Sequence, residues 1–256
     1  MIKKVYKKLF SERFRIRCRL AREKLLSIFY IGKKYRCNCC NKSFRKFKSK
    51  GNWEVRKNAQ CPYCGSLERT RLLLFYLQNE TTIFKNETSL LHFAPEFCLV
   101  PLLKKSDNLN YISGDINPNY ADYQMDIMDI PYPDNSFDYI ICSHVLGHVP
   151  DEGKAVREMS RVLKPSGKAF ILTILDRKNP ITHESKETDT PAKRLKEYSE
   201  PDLLRLHGLD FEKRLSDNGF DVSIIDYATS FENDVRERYS LGNKDRELIF
   251  KCTKKI

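Results

Sequence analysis

The chain has 256 residues, 41% hydrophobic and 31% charged, with a net charge of +12. This length exceeds the roughly 100 to 200 residues of one domain and predicts a medium domain with an appendage. Twelve lysines and arginines within residues 1–34 stand against only Glu12 and Glu23; a charge so confined describes a docking arm and argues against a whole domain that tracks nucleic acid.

Within that arm, residues 1–34, Ile2, Val5, Tyr6, Leu9 and Phe10 follow helical spacing with lysines between them. An apolar stripe bordered by positive charge predicts that residues 1–30 lie on an anionic membrane surface, the alternative being a helix packed on its own domain or a frayed end. The longest apolar run of the arm, Leu25 to Ile31, is interrupted by Ser27 and is too short for a signal peptide or a span. The expectation is a cytoplasmic protein, peripheral on the inner membrane face.

Nine cysteines in such a chain read as thiols or metal ligands before disulfides. Cys37-x-x-Cys40 and Cys61-x-x-Cys64 are two knuckles that can close a thiolate tetrahedron around zinc, and Gly65 permits the positive φ of the second turn. Cys39 lacks the spacing, and buried thiols of a small domain are the alternative. Cys18, Cys98, Cys142 and Cys252 read as core residues. Residues 35–66 are therefore expected to form a zinc ribbon.

Beyond it, Leu67–Leu77 carries its apolar residues on one helical face. Ser89–Phe93, Asn110–Asp115, Met125–Ile127, Asp138–Ser143 and Lys168–Leu175 read as strands, with helices over Cys98–Lys105, Asp151–Leu163 and around Pro201–Asn218. Phe220–Ala228 and Glu247–Thr253 are two last strands. Alternation of this kind predicts an α/β fold with a doubly wound, mostly parallel sheet that binds ligands at the carboxyl ends of its strands. Asp115 lies nineteen residues beyond Glu96, near the spacing of about twenty at which an acid takes ribose hydroxyls. Solvated loop acids are the alternative for Asp115 and Asp126. His144 and His148 follow the fourth strand, where an imidazole serves either as a general base or as a helix cap.

From Met125 the chain reads MDIMDIPYPDNSFDYIICSHVLGHVP, and from Arg157 it reads REMSRVLKPSGKAFI. This resembles the class I S-adenosylmethionine (SAM) dependent methyltransferases of the type 11 kind, in which D-A-x-x-L-P-F-x-D-x-S-F-D precedes strand four and R-V-L-K-P-G-G precedes strand five. Ser166 stands where that family has a first glycine, and Gly147 where relatives read H-V-L-E-H. Leu91-His92-Phe93-Ala94-Pro95-Glu96 replaces the usual glycine-rich turn, a string that some zinc-ribbon members of the group share. The resemblance covers about residues 35–256.

It implies a seven-stranded sheet ending in an antiparallel hairpin, with residues 67–256 as the methyltransferase domain. It further implies SAM and zinc as cofactors, with Phe93, Ala94 and Glu96 at the methionine end, Asp115 and Ile116 at the ribose, Asp126 and Ile127 at the adenine, and Ser143 beside them. His148, then His144, are the expected bases, with Glu184 and His207 in reserve. In the acceptor segment 175–210, Arg205, Gly208 and Asp210 match, while Leu203 replaces a histidine and His207 a tyrosine. The implied reaction is methyl transfer to a small-molecule or glycan acceptor. An RNA base methyltransferase is the first alternative, because Lys42–Lys50 near Trp53 can meet phosphates and stack a base. A catalytically silent SAM-fold interaction module is the second.

Overall fold

The computed structural model describes residues 10–51 and 55–255. The expected stripe residues Ile2, Val5, Tyr6 and Leu9, and the expected stacking residue Trp53, lie outside them. The first helix among the described residues is α1 (Glu12–Leu26), capped by the Ser11 hydroxyl, which accepts from Phe14 N at 3.3 Å. Two small antiparallel pairs follow, β1 (Ile31–Arg36) with β2 (Ser43–Phe44) and β3 (Lys48–Lys50) with β4 (Arg56–Gln60). Helix α2 (Glu68–Glu80) then leads into the sheet, as its apolar face predicts.

Seven strands form that sheet: β5 (Thr88–Phe93), β6 (Leu109–Asp115), β7 (Tyr123–Gln124), β8 (Phe137–Ser143), β9 (Leu163–Leu172), β10 (Phe220–Ile225) and β11 (Ile249–Lys254). Their order is β10-β11-β9-β8-β5-β6-β7, parallel from β9 to β7 and antiparallel across β9, β11 and β10. The two last strands do pair as an antiparallel hairpin at one edge, with β11 seated between β9 and β10. From β5 the chain moves outward to β6 and β7, then returns to the other side of β5 as β8. A crevice at the carboxyl ends of β5 and β8 follows from that reversal.

Short helices complete the layers: α3 (Val100–Lys104), α4 (Glu152–Val162), α5 (Pro191–Tyr198), α6 (Phe211–Ser216), α7 (Asn233–Tyr239) and α8 (Lys244–Glu247). Helix α4 buries Ala155, Val156, Met159 and Val162, one face at helical spacing, and its N-cap Asp151 accepts from Lys154 N at 2.8 Å. The other sheet face is covered by α2 together with Phe44, Phe47 and the cysteine knuckles, which share one apolar cluster with Leu73, Leu77, Leu90 and Phe170.

Three expectations are corrected. The third strand is Tyr123–Gln124, and Met125–Ile127 turns away from it, with Asp126 bridged to Asp129. The region 201–218 is helical only over Phe211–Ser216, because 203–207 spends its backbone hydrogen bonds on Gly147, His183 and Asp176. Strand β9 begins earlier and ends sooner than Lys168–Leu175, since the Lys164–Gly167 turn is folded into it with Ser166 at φ 62°.

Candidate active site and thiolate cluster

Two residues without glycine's freedom flank the crevice in the left-handed region: Ala94 after β5 at φ 46° and His144 after β8 at φ 57°. Such backbone is costly for non-glycine residues and persists only where neighbours impose it. Ala94 N donates to Gly114 O at 2.9 Å and His144 N to Leu172 O at 2.8 Å, so adjacent strands hold both turns. The departure from a glycine-rich loop is thus met by alanine in a glycine-like conformation. Between these turns and the end of β6 opens a cavity of about 580 Å³.

Its wall contains Phe93, Ala94, Asp115, Ile116, Asp126 and Ile127, all expected from the sequence. His144 and His148 also face it. Asp115 Oδ1 accepts from Asn117 N at 2.7 Å and Asp126 Oδ1 from Met128 N at 2.8 Å. Neither second oxygen has a partner among the described residues. Burial raises the Asp115 carboxyl above its ordinary value, opposed by that Asn117 contact. A Cβ on Gly114 would stand 3.0 Å from the Met125 sulfur, so glycine lets the chain pass close there.

Glu96 and Ser143 lie behind this wall. Glu96 Oε2 is 2.9 Å from His92 Nε2, whose other ring nitrogen is 3.1 Å from the Tyr111 hydroxyl. Burial would raise the Glu96 carboxyl, but His92 and Arg69 outweigh it and hold the pKa below the usual range. Glu96 Oε1, Ser143 Oγ and His144 Nε2 are buried without a hydrogen-bond partner. Three orphaned polar atoms at the ends of β5 and β8 fit a polar ligand there.

The two histidines differ in kind. Burial, with Arg69 and Arg246 nearby, holds the His144 pKa well below an ordinary imidazole. His148 keeps about a quarter of its side chain exposed, with Nδ1 at 3.1 Å from Asp202 O and Nε2 at 4.0 Å from Glu200. The reserve His207 is corrected: it is 1% exposed, with Nε2 at 2.6 Å from Glu152 and Nδ1 at 2.7 Å from Thr173 Oγ1. Both ring nitrogens being engaged, it clamps the start of α4 to the residue that follows β9. Glu184 accepts from the buried Arg205, which also donates to Leu146 O, Val149 O and Pro150 O and thereby fixes the His148 loop. The sequence signalled Arg205 only through a motif, since its targets are backbone carbonyls.

In the ribbon, Cys37, Cys40, Cys61 and Cys64 bring their sulfurs within 4.8 Å of one another. Cys37 and Cys64 are 3.6 Å apart, Cys40 and Cys61 3.8 Å. A tetrahedron with zinc–sulfur bonds of about 2.3 Å has edges of about 3.8 Å, whereas a disulfide requires about 2.05 Å. The donor set fits zinc. The residue after each second cysteine is left-handed, Asn41 at φ 56° and Gly65 at φ 76°; the Asn41 turn was not foreseen. Cys39 is buried in the apolar cluster outside the four-sulfur group, as are Cys98, Cys142 and Cys252 in their clusters, while Cys18 is half-buried.

A profile of the methyltransferase-domain family matches residues 103–171, from α3 into β9. The chain is 39% identical over 70 residues to a demethylmenaquinone methyltransferase of Staphylococcus carnosus, covering 26% of this chain and 29% of that one. It is 46% identical over 56 residues to a ubiquinone/menaquinone biosynthesis C-methyltransferase of Pasteurella multocida, covering 22% of this chain and 20% of that one. The matched stretch thus spans less than a third of these curated relatives. Among solved structures, the [4+2]-cyclase SpnF superposes with a TM-score of 0.52 at 17% identity, covering 75% of this chain and 84% of that one. The sheet order, the switch-point crevice and this likeness together establish the class I methyltransferase fold.

Proposed function

We propose that the protein transfers a methyl group from SAM to a small-molecule acceptor. The cavity at the β5/β8 crevice carries this reading, because Asp115 and Asp126 present free carboxylate oxygens there, one strand apart, beside the left-handed Ala94 turn. Asp115 would accept from the ribose hydroxyls, and Asp126 with Ile127 N would meet the adenine edge. Glu96, held ionised by His92, leaves Oε1 for an ammonium group, and Ser143 and His144 offer the other orphaned atoms. Bound SAM supplies an electrophilic methyl on a sulfonium leaving group. The chain then has to align the acceptor and, for a hydroxyl, remove its proton. His148 suits the second task, since it stands at the mouth of the cavity and Glu200 and Asp202 lie beside the charge it would gain.

Calorimetry with SAM tests the reading. Saturable binding is expected, with Asp115→Ala weaker by at least tenfold, about 1.4 kcal/mol; equal affinity in the variant removes Asp115 from the site, and no binding by either protein removes the reading. The quinone acceptors named for the relatives do not carry over, because the acceptor segment 175–210 lies outside the matched family profile. A glycan or other small acceptor is the reading for this segment. Residues 35–66 are read as a zinc ribbon of four thiolates.

The arm supports docking on an anionic membrane, through a tip that the stripe of residues 2–10 did not indicate. At the end of α1, Leu25, Ile28, Phe29 and Ile31 are each 60% or more exposed, beside Lys24, Lys33 and Lys34. No helix among the described residues is long and apolar enough to cross a membrane.

A further inference from the structure

A cavity of about 1180 Å³ lies between the ribbon, α2, α8 and the β8–β9 end of the sheet. It shares His144, His148 and Asp202 with the smaller cavity described above, so the two meet at the histidines. Four arginines line it, Arg177 beyond β9 and three from distant parts of the chain: Arg56 on β4, Arg69 in the first turn of α2 and Arg246 on α8. Only Arg56 has a carboxylate partner, Glu68 at 2.9 Å. Arg69 Nε is buried without a hydrogen-bond partner, and neither Arg69 nor Arg246 has an ion pair among the described residues. Burial, followed for Arg246 by repulsion from Arg56 and Arg69, holds both guanidiniums below their ordinary pKa. Glu68 and Glu200 act on both guanidiniums and Glu96 on Arg69 from a distance, but none of them lies within ion-pair distance of either.

A second feature has the same sign. Helix α2, thirteen residues long, begins after Leu67 on the cavity wall with no side-chain cap, so its N-terminal end with its uncapped N–H groups adjoins the cavity, the first-turn acid Glu68 being paired with Arg56. The carboxylates Asp176, Glu200, Asp202 and Asp245 also line the cavity, and of these Glu200 and Asp202 sit against His148 at 4.0 and 3.8 Å. The lining thus carries both signs, and Arg69 Nε is its buried cationic group left without a hydrogen-bond partner.

We infer that this cavity binds the phosphate or pyrophosphate group of a phosphorylated small molecule on Arg69, Arg246 and the α2 N-terminus, with the rest of that molecule reaching His148. Naming this molecule the methyl acceptor rests on the methyl-transfer reading; the anion site does not. Paired guanidinium forks match phosphate oxygens, and a helix N-terminus adds further N–H donors. The volume accommodates a nucleotide- or sugar-phosphate-sized ligand.

Titration calorimetry of the full chain with pyrophosphate, inorganic phosphate and acetate at one ionic strength tests this. Pyrophosphate is expected to saturate more tightly than phosphate, and acetate not to bind. Arg69→Gln and Arg246→Gln should each weaken pyrophosphate at least tenfold. In the unaltered protein, pyrophosphate should protect Arg69 and Arg246 from phenylglyoxal, read by peptide mass, so the test survives a variant that fails to fold. Absence of saturation at about 10 mM, acetate as tight as phosphate, undiminished binding in a folded double variant, or no protection overturns the site. Pyrophosphate binding without SAM binding keeps the site and discards the methyl-transfer reading; SAM binding without pyrophosphate binding does the reverse.

Discussion

Gly147 faces Leu203: a Cβ there would stand 2.7 Å from Leu203 Cδ1 and 3.3 Å from the Arg205 carbonyl oxygen. Two of the departures from the resembled motif, glycine for glutamate and leucine for histidine, therefore meet in one contact beside His148. Gly147→Ala should cost about 1–3 kcal/mol by overpacking, and Gly147→Ala with Leu203→Ala should cost less than the sum of the single changes. Denaturant melts of the four proteins decide it; additive costs would mean that the contact relaxes without strain. Glu247 makes a different prediction. It is 2% exposed and accepts from Gly242 N at 2.6 Å and from Asn243 N, with Glu68 and Arg71 nearby. Burial pushes its carboxyl up to about 8. The folded chain thus binds this proton more tightly than the unfolded one, so its contribution is full below the unfolded carboxylate pKa and is lost as pH rises toward 8. Glu247→Gln keeps an acceptor for both amides and should flatten the fall in melting temperature between about pH 5 and 8. An unchanged slope would place the titration elsewhere.

Helix α1 is amphipathic only weakly, and burial of Ile16 is its main apolar contact. Polar contacts attach it instead: Glu12 accepts from Asn117 and Asn119 at 3.3 and 3.2 Å, in the loop that follows Asp115. Its far end then projects Leu25, Ile28, Phe29 and Ile31. Each nearby lysine is worth about 1 kcal/mol on an anionic surface, so Ile28→Ser with Phe29→Ser should reduce sedimentation with phosphatidylserine vesicles several-fold and leave the melting temperature nearly unchanged. Equal sedimentation of variant and parent would assign the tip to another partner. The same element links arm and site, because α1 packs on the ribose side of the proposed cofactor cavity.

At the scale of the whole molecule, ribbon and sheet are joined by burial. Arg71, fully buried, donates to Ala59 O and Ser66 O in the ribbon and to Tyr239 O and Ser240 O at the end of α7, and Phe44 and Phe47 share an apolar cluster with α2 and the sheet. Loss of zinc should therefore reach beyond the ribbon. About one zinc per chain is expected, with Cys61→Ser releasing it and lowering the melting temperature of a single transition; full metal content in that variant would refute the four-thiolate site, and an unshifted main transition would show that the ribbon unfolds alone. The order of strands and helices, the two knuckles and the acids Asp115 and Asp126 were legible in the sequence, because periodicity, turn residues and spacing are local and survive without knowledge of the neighbours. The segment 175–210 was not, since its course depends on distant groups: Asp210 accepts from Thr182 at 2.6 Å, and Arg205 reaches the carbonyls of the His148 loop. Nor could spacing separate His207 from His148, two imidazoles of one ordinary pKa. Burial against Glu152 and Thr173 makes the first a clamp, exposure at two cavities makes the second a candidate base, and only the packed fold brings Arg56, Arg69 and Arg246 from separate elements to one wall.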